Sequence, residues 1–250
     1  MIRFRPQLGP TLWFVPGLAL AVWLGVWQIE RLHEKEALIA SVEAGISAPA
    51  QELAGLLASG SFPEWRHVNL RGHFLHAREV YLFGRGPGGA VGVHVVTPFM
   101  GEDGKTVLVD RGFVPEALRN PTTRAAGQIE GELSLTGVLR ASQGPGPFTP
   151  PPDEAAKLWF VKNVPGLART AGVEVAAPII VEADEAPNPG GWPLGGQTRV
   201  EFPNNHLDYA LTWFGLALAL TSVYLLYHRS RGRLGQRVAP LASDGAPPDL

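Results

Sequence analysis

Two uninterrupted apolar runs, one near each end of the chain, limit what this sequence can fold into. The first is "TLWFVPGLALAVWLGVWQI", residues 11–29, and the second reaches from Tyr209 to Tyr227. Each is nineteen residues long and free of Asp, Glu, Lys, Arg and His. At the rise of an α-helix each would measure roughly 28 Å, close to the hydrocarbon thickness of a bilayer. Trp13, Trp23 and Trp27 flank the first run, and Tyr209, Trp213, Tyr224 and Tyr227 flank the second. Amphipathic rings favour headgroup depth, so the pattern predicts two transmembrane helices rather than core helices of a soluble protein. The start "MIRFRP" and the small-x-small triplet Ala19-Leu20-Ala21 also have the form of a cleaved signal peptide. Against cleavage, apolar residues continue through Val22, Trp23, Leu24, Val26 and Trp27, where a mature N-terminus would turn polar. The first run is therefore read as a retained span.

Charge placement gives an orientation. Arg3 and Arg5 precede the first run, and Arg229, Arg231, Arg233 and Arg237 follow the second. These two tails hold 6 of the 21 basic residues and 2 of the 23 acidic ones, leaving the middle with an excess of 6 acidic residues. Positive charge stays on the cytoplasmic side. The expected layout is a cytoplasmic N-terminus (1–10), a first span (11–29), an extracytoplasmic domain (30–208), a second span (209–227) and a basic, disordered cytoplasmic tail (228–250). In a bacterium this is a multi-pass inner-membrane protein with a periplasmic centre. The acidic middle argues against a nucleic-acid partner and leaves the lipid bilayer as the first one. The chain has no cysteine and only Met1 and Met100. That removes thiolate nucleophiles, CxxCH haem attachment and thiol- or methionine-rich copper binding.

Between the runs the texture changes twice. Residues 30–60 carry Leu32, Leu38, Ile39, Val42, Leu53, Leu56 and Leu57 among charges and alanines, a helical pattern that Pro49 should break. From Trp65 onward, "HVNLRGHF", "EVYLFG", "GVHVVTPF", "TVLVDRGFV", "GELSLTGVLR" and "APIIVEAD" read as strands bounded by Gly, Pro or Asp. Closely spaced strands of this kind predict an α+β domain on an antiparallel sheet or small barrel, with a few helices. "VPGLARTAG" should be a short helix ending at Gly172, and "QGPGPFTPPPD" a proline-rich loop.

Candidate chemistry is sparse. The glycines at 84–89 lack a following GK[ST], and no GxSxG nucleophile elbow occurs. His73 and His76 are not at a ligand spacing for a strand and turn. In "VDRGFVP", Asp110 and Arg111 suggest an ion pair fixing a strand's exit, or alternatively an anion-binding arginine. His206 is distinctive for its position. It stands at the lip of the second run beside Asn204, Asn205 and Asp208, and Arg31 and His33 lie about a turn beyond the first. It is either an interfacial polar residue or a ligand. An imidazole facing an apolar slot, with arginines nearby, has the chemistry that haem requires: an axial nitrogen for iron and cations for propionates.

Several stretches together resemble one family. They are "LGVWQIERLHEKEALI" (24–39), "VVTPF" (95–99), "VLVDRGFVP" (107–115), "NPTTRAAGQIEGELSLTGVLR" (120–140) and "GGQTRVEFPNNHLDYALTWFGLA" (195–217), set in the two-span layout. The chain is similar to the Surfeit-locus family of cytochrome c oxidase assembly factors from about residue 17 to 227. The resemblance implies a non-enzymatic protein that helps mature the core subunit of an aa3-type oxidase and handles haem a. Haem a synthesis enzymes would be further partners. It also implies that His206, in the N-x-H-L motif, is the axial-ligand candidate. His33 is the weaker candidate, and Arg31, Arg111 and Arg199 are partners for propionates or structural cations. Two rivals remain: a scaffold that docks oxidase subunits without binding haem, and a membrane-tethered hydrolase, for which no nucleophile–base pair is legible.

Overall fold

The computed structural model describes residues 4–198 and 202–234. It divides into two compact units, one made of the chain up to Ile39 and from Phe202 onward, the other of Ala40–Glu201.

The first unit is a helix pair. Helix α1 runs from Leu8 to Ser47, 40 residues without interruption, and its first part contains the first apolar run. It stops just short of Pro49, because a proline ring disfavours helical geometry in the residue before it. The predicted break is therefore found, and the segment before it continues the apolar helix. The other member of the pair is the helix His206–Ser230 near the C-terminus. Both are long and apolar enough to cross a bilayer. Small side chains let the two helices approach. Ala21, Ala210 and Ala217 are buried, and a Cβ on Gly25 would fall 2.7 Å from the ring of Phe214. Close backbone approach over small residues is how helices pack where water supplies no driving force.

The second unit is a β-barrel with appendages. Its elements are the end of α1, β1 (Gln51–Glu52), α2 (Leu53–Ser59), β2 (His67–Phe74), β3 (Val80–Arg85), β4 (Val91–Gly101), β5 (Thr106–Pro115), β6 (Leu133–Ala141), β7 (Leu158–Trp159), α3 (Val164–Ala171) and β8 (Ile179–Ala183). The C-terminal helix is α4. Strands pair in the order β2-β6-β8-β5-β4, and β4 pairs back onto β2 through Gly72↔Gly101, His73↔Met100 and Phe74↔Phe99. A ring of five strands results. Gly72 forms the corner: it pairs with Leu133 of β6 and Gly101 of β4 at φ 151°. A Cβ there would lie 2.0 Å from the Met100 carbonyl oxygen.

The sheet is mixed, which corrects the antiparallel expectation. β5–β8, β1–β2 and β3–β7 are parallel pairs. For the ring the reason is parity. An odd number of strands cannot close with every neighbour antiparallel, and β8, antiparallel to β6, has to run parallel to β5.

Register then sorts the side chains. Val107 and Val109 of β5 and Ile179 and Val181 of β8 join Val68, Leu70, Phe99 and Leu139 in one cluster. Leu108 and Ile180, between them in sequence, point the other way and pack with Val80, Leu82 and Val96 under Val164, Leu167 and Trp159. Strands covered on both faces read as continuous apolar runs, which explains "VLV" and "IIV". α3 starts with the Asn163 side chain accepting from the Gly166 N–H (2.8 Å) and ends, as predicted, on left-handed Gly172.

Candidate functional site

His206 is the first residue of α4, and its partner is on α1. The Nδ1 of His206 lies 2.6 Å from the side-chain oxygen Oε1 of Gln28. An amide oxygen can only accept, so Nδ1 carries the hydrogen and donates it. Nε2 keeps its lone pair and has no hydrogen-bond partner among the described residues. Gln28 is buried, with 8% of its surface exposed, whereas the imidazole is half-buried. One side of the ring is therefore held from within the helix pair, and its accepting nitrogen is uncommitted. This is the arrangement of a metal-binding histidine, whose second nitrogen normally donates to a protein oxygen that fixes ring orientation and tautomer.

The other residues singled out from the sequence do not converge on this nitrogen. His33 is exposed and makes no hydrogen bond or ion pair among the described residues. Five residues beyond Gln28, it stands about 140° around α1 from it. Arg31 pairs with Glu34 at 2.7 Å and lies over Trp27, its guanidinium carbon 5.6 Å from the ring centroid. No hydrogen bond joins it to His206 among the described residues. Arg199 lies outside the described residues. His73 and His76 belong to no cluster able to hold a metal among the described residues.

Arg111 belongs to the barrel unit, and the expected Asp110–Arg111 ion pair is not formed. Adjacent residues on a strand point to opposite faces, so the two cannot meet. Asp110 faces the α3 side, where its carboxylate takes the Nδ1 of His94 at 3.1 Å and lies 3.7 Å from Lys162. Lys162 also pairs with Glu182, which takes Arg140 at 3.3 Å. Burial works against charge on both members of the His94–Asp110 couple. Their mutual attraction more than offsets it, raising the pKa of His94 and lowering that of Asp110.

Arg111 shares the opposite face with Val107 and Val109. It is 2% exposed, donates to the carbonyl of Gly127, and lies 4.7 Å above the ring of Phe74. Its other polar neighbour is Nδ1 of His76, at 3.4 Å. Burial, followed by repulsion from Arg124, brings its pKa down to about 10. Arg124 is the better matched of the two, paired with Glu79, to which the Tyr81 hydroxyl also donates at 2.8 Å.

Two features of the helix pair escaped the sequence. Gln28 pairs with a residue 178 positions away, a separation that periodicity cannot bridge. Its one local signal was being the sole amide in the first apolar run. The second is His228, in the last turns of α4 and fully buried. In the sequence it directly precedes Arg229, in the basic stretch that follows the apolar run.

The chain as a whole is similar to proteins of one family. Residues 17–218 match the model of the SURF1 family. Surfeit locus protein 1 of Xenopus tropicalis is 37% identical over 217 residues, covering 80% of this chain and 70% of that protein. The Homo sapiens protein of the same name is 37% identical over 220 residues, covering 82% and 72%. A SURF1-like protein of Monosiga brevicollis is 36% identical over 230 residues and 87% of both chains.

Proposed function

This chain belongs to the SURF1 family, and we propose that it is a two-span, non-enzymatic assembly factor for an aa3-type cytochrome c oxidase. In this reading it binds haem a at the outer membrane interface and helps insert it into the core subunit. The observation that carries the haem part is the His206–Gln28 contact. It leaves a lone pair on Nε2, which is what an iron takes from a histidine. The residues present fit the group: one nitrogen is held, one is available, and the helix surfaces below it are apolar. Haem a is cargo here, and its chemistry is expressed in the oxidase that receives it. What this chain supplies is orientation: Gln28 sets the tautomer and angle of the imidazole, and the small residues of the pair keep α1 and α4 close.

Two apolar helices and the arginine bias support a membrane protein with both ends cytoplasmic and a periplasmic barrel. An alkaline phosphatase fusion after Pro150 is expected to be active, and one after Leu234 inactive. The opposite pattern would overturn the layout.

The decisive experiment is purification after co-production with haem a synthesis enzymes. Substoichiometric haem a with a Soret band is expected. Protein free of haem a under these conditions would favour a scaffold that docks oxidase subunits and never holds the cofactor.

A further inference from the structure

The barrel unit buries a cation that it does not neutralise. Arg111 is 2% exposed, yet no carboxylate lies within 4.0 Å of it among the described residues. The nearby acid, Glu79, is taken by Arg124, so two buried guanidinium groups share one carboxylate. A charge taken out of water without a counter-charge is strongly unfavourable, and folds that keep one normally match it with something. Arg111 also lines a cavity of about 520 Å³ together with Phe74, Ile129, Leu133, Leu135 and Asn188. That volume is large enough for a small organic molecule. Glu52, Asp184 and the exposed Arg71 lie on the same lining. Asp184 is engaged by His67 at 2.5 Å, and neither acid reaches Arg111.

We propose that this cavity is a binding site for a monocarboxylate carried on an apolar body, with Arg111 as its counter-charge. A guanidinium has five N–H donors in a planar fork, and a carboxylate meets two of them side by side. Arg111 uses one on Gly127 and directs another toward His76, so donors remain. One buried positive charge balances one negative charge, which favours a carboxylate over a phosphate dianion. The Phe74 ring and the leucines suit a hydrocarbon tail, and Asn188 adds a neutral polar contact at the lining. The site lies within the barrel unit and stands apart from the His206 reading, so it needs no haem.

The test uses full-length protein in nanodiscs, produced without haem a synthesis enzymes, and isothermal titration with hexanoate, 1-hexanol and inorganic phosphate. Hexanoate is expected to bind at one equivalent, with no saturable heat from the alcohol or phosphate. Arg111→Gln should weaken hexanoate by about 10- to 100-fold, the range of a charge-assisted hydrogen bond. Parental affinity in that variant, or phosphate binding as tightly as hexanoate, would overturn the assignment. If Arg111→Gln fails to accumulate, Ala186→Trp decides the matter. Ala186 is exposed, lies outside the strands and lines the same cavity, so an indole there blocks space while leaving the core intact. Lost hexanoate binding with an unchanged melting temperature supports the site, and retained binding refutes it.

Discussion

Helix α4 carries a histidine at each end, and the protein holds the two in opposite ways. At the first residue, His206 donates through Nδ1 to Gln28 and leaves Nε2 unused. Near the last, His228 donates through Nδ1 to the Tyr224 carbonyl at 2.9 Å and accepts the Gln7 backbone N–H through Nε2 at 3.1 Å. The rings of Phe4 and Tyr224 close over it, with centroids 5.3 and 4.3 Å away, and none of its surface is exposed. The same region is stitched by Thr11 to Tyr224 at 2.6 Å and by Phe14 stacked on Tyr224 at 3.9 Å. Residue type is identical at the two ends, and so is the tautomer. What separates a candidate ligand from a clamp is whether the fold consumes the second nitrogen.

That contrast breaks most sharply under crossed substitution. His206→Ala is expected to abolish the haem a Soret band while the protein accumulates normally, since the span keeps its apolar character. His228→Ala should do the reverse. Without the imidazole, the Gln7 N–H loses its acceptor and a void opens among the rings, destabilising the helix pair by about 1–3 kcal/mol. The measurement is a denaturation midpoint in detergent beside haem content. Equal loss of haem in both variants would mean that His206 acts through packing, as His228 does.

Gln28 sharpens the comparison with a smaller effect. Replacing a residue that orients a metal ligand typically lowers affinity by about 10- to 100-fold, and Gln28→Leu should fall at the lower end, about tenfold. Gln28→Glu keeps an oxygen to accept the Nδ1 hydrogen and should restore binding. A packing role would give the other ranking, with Leu tolerated and a buried Glu harmful. Titration of the purified variants with haem a distinguishes the two.

How far the sequence led follows from where each signal resided. The apolar runs, the break before Pro49 and the strand sequences are local, and all appear in the structure at or near their expected positions. Strand spacing allowed a closed barrel and an open sheet alike. The parallel β5–β8 pair was not foreseeable, because it depends on the number of strands in the ring and no segment encodes that alone. Asp110 and Arg111 show the same limit at one residue's scale: adjacent opposite charges suggested a pair, and the pleat of β5 sends them to opposite faces. His206 was legible because a histidine at the edge of an apolar run stands out. Gln28 and His228 were not, since their meaning comes from partners roughly two hundred residues away.

A third histidine tests whether the partner's chemistry, and not only the number of nitrogens taken, decides what an imidazole does. His94 in β4 also spends Nδ1 on a side-chain oxygen, but that oxygen belongs to the buried carboxylate of Asp110. Burial opposes a charge on His94 and Asp110 favours it, with Lys162 and Glu182 adding smaller opposing effects, and the balance leaves the pKa above the ordinary histidine value. A folded-state pKa above the unfolded one means that the folded state holds the proton more tightly. The resulting stabilisation is fully present below about pH 6.5, where the unfolded chain is also protonated, and is lost as pH rises through the raised folded value. On the acid side, Asp110 has a depressed pKa, so its contribution is present above the carboxylate range and fades only as pH falls through it. The stability difference between the parent and His94→Gln should therefore shrink as pH climbs from 6 toward 9. Thermal unfolding followed at half-unit intervals would measure it, and this is the smallest of the expected effects. A difference independent of pH would show that His94 is held as His228 is, by geometry without charge.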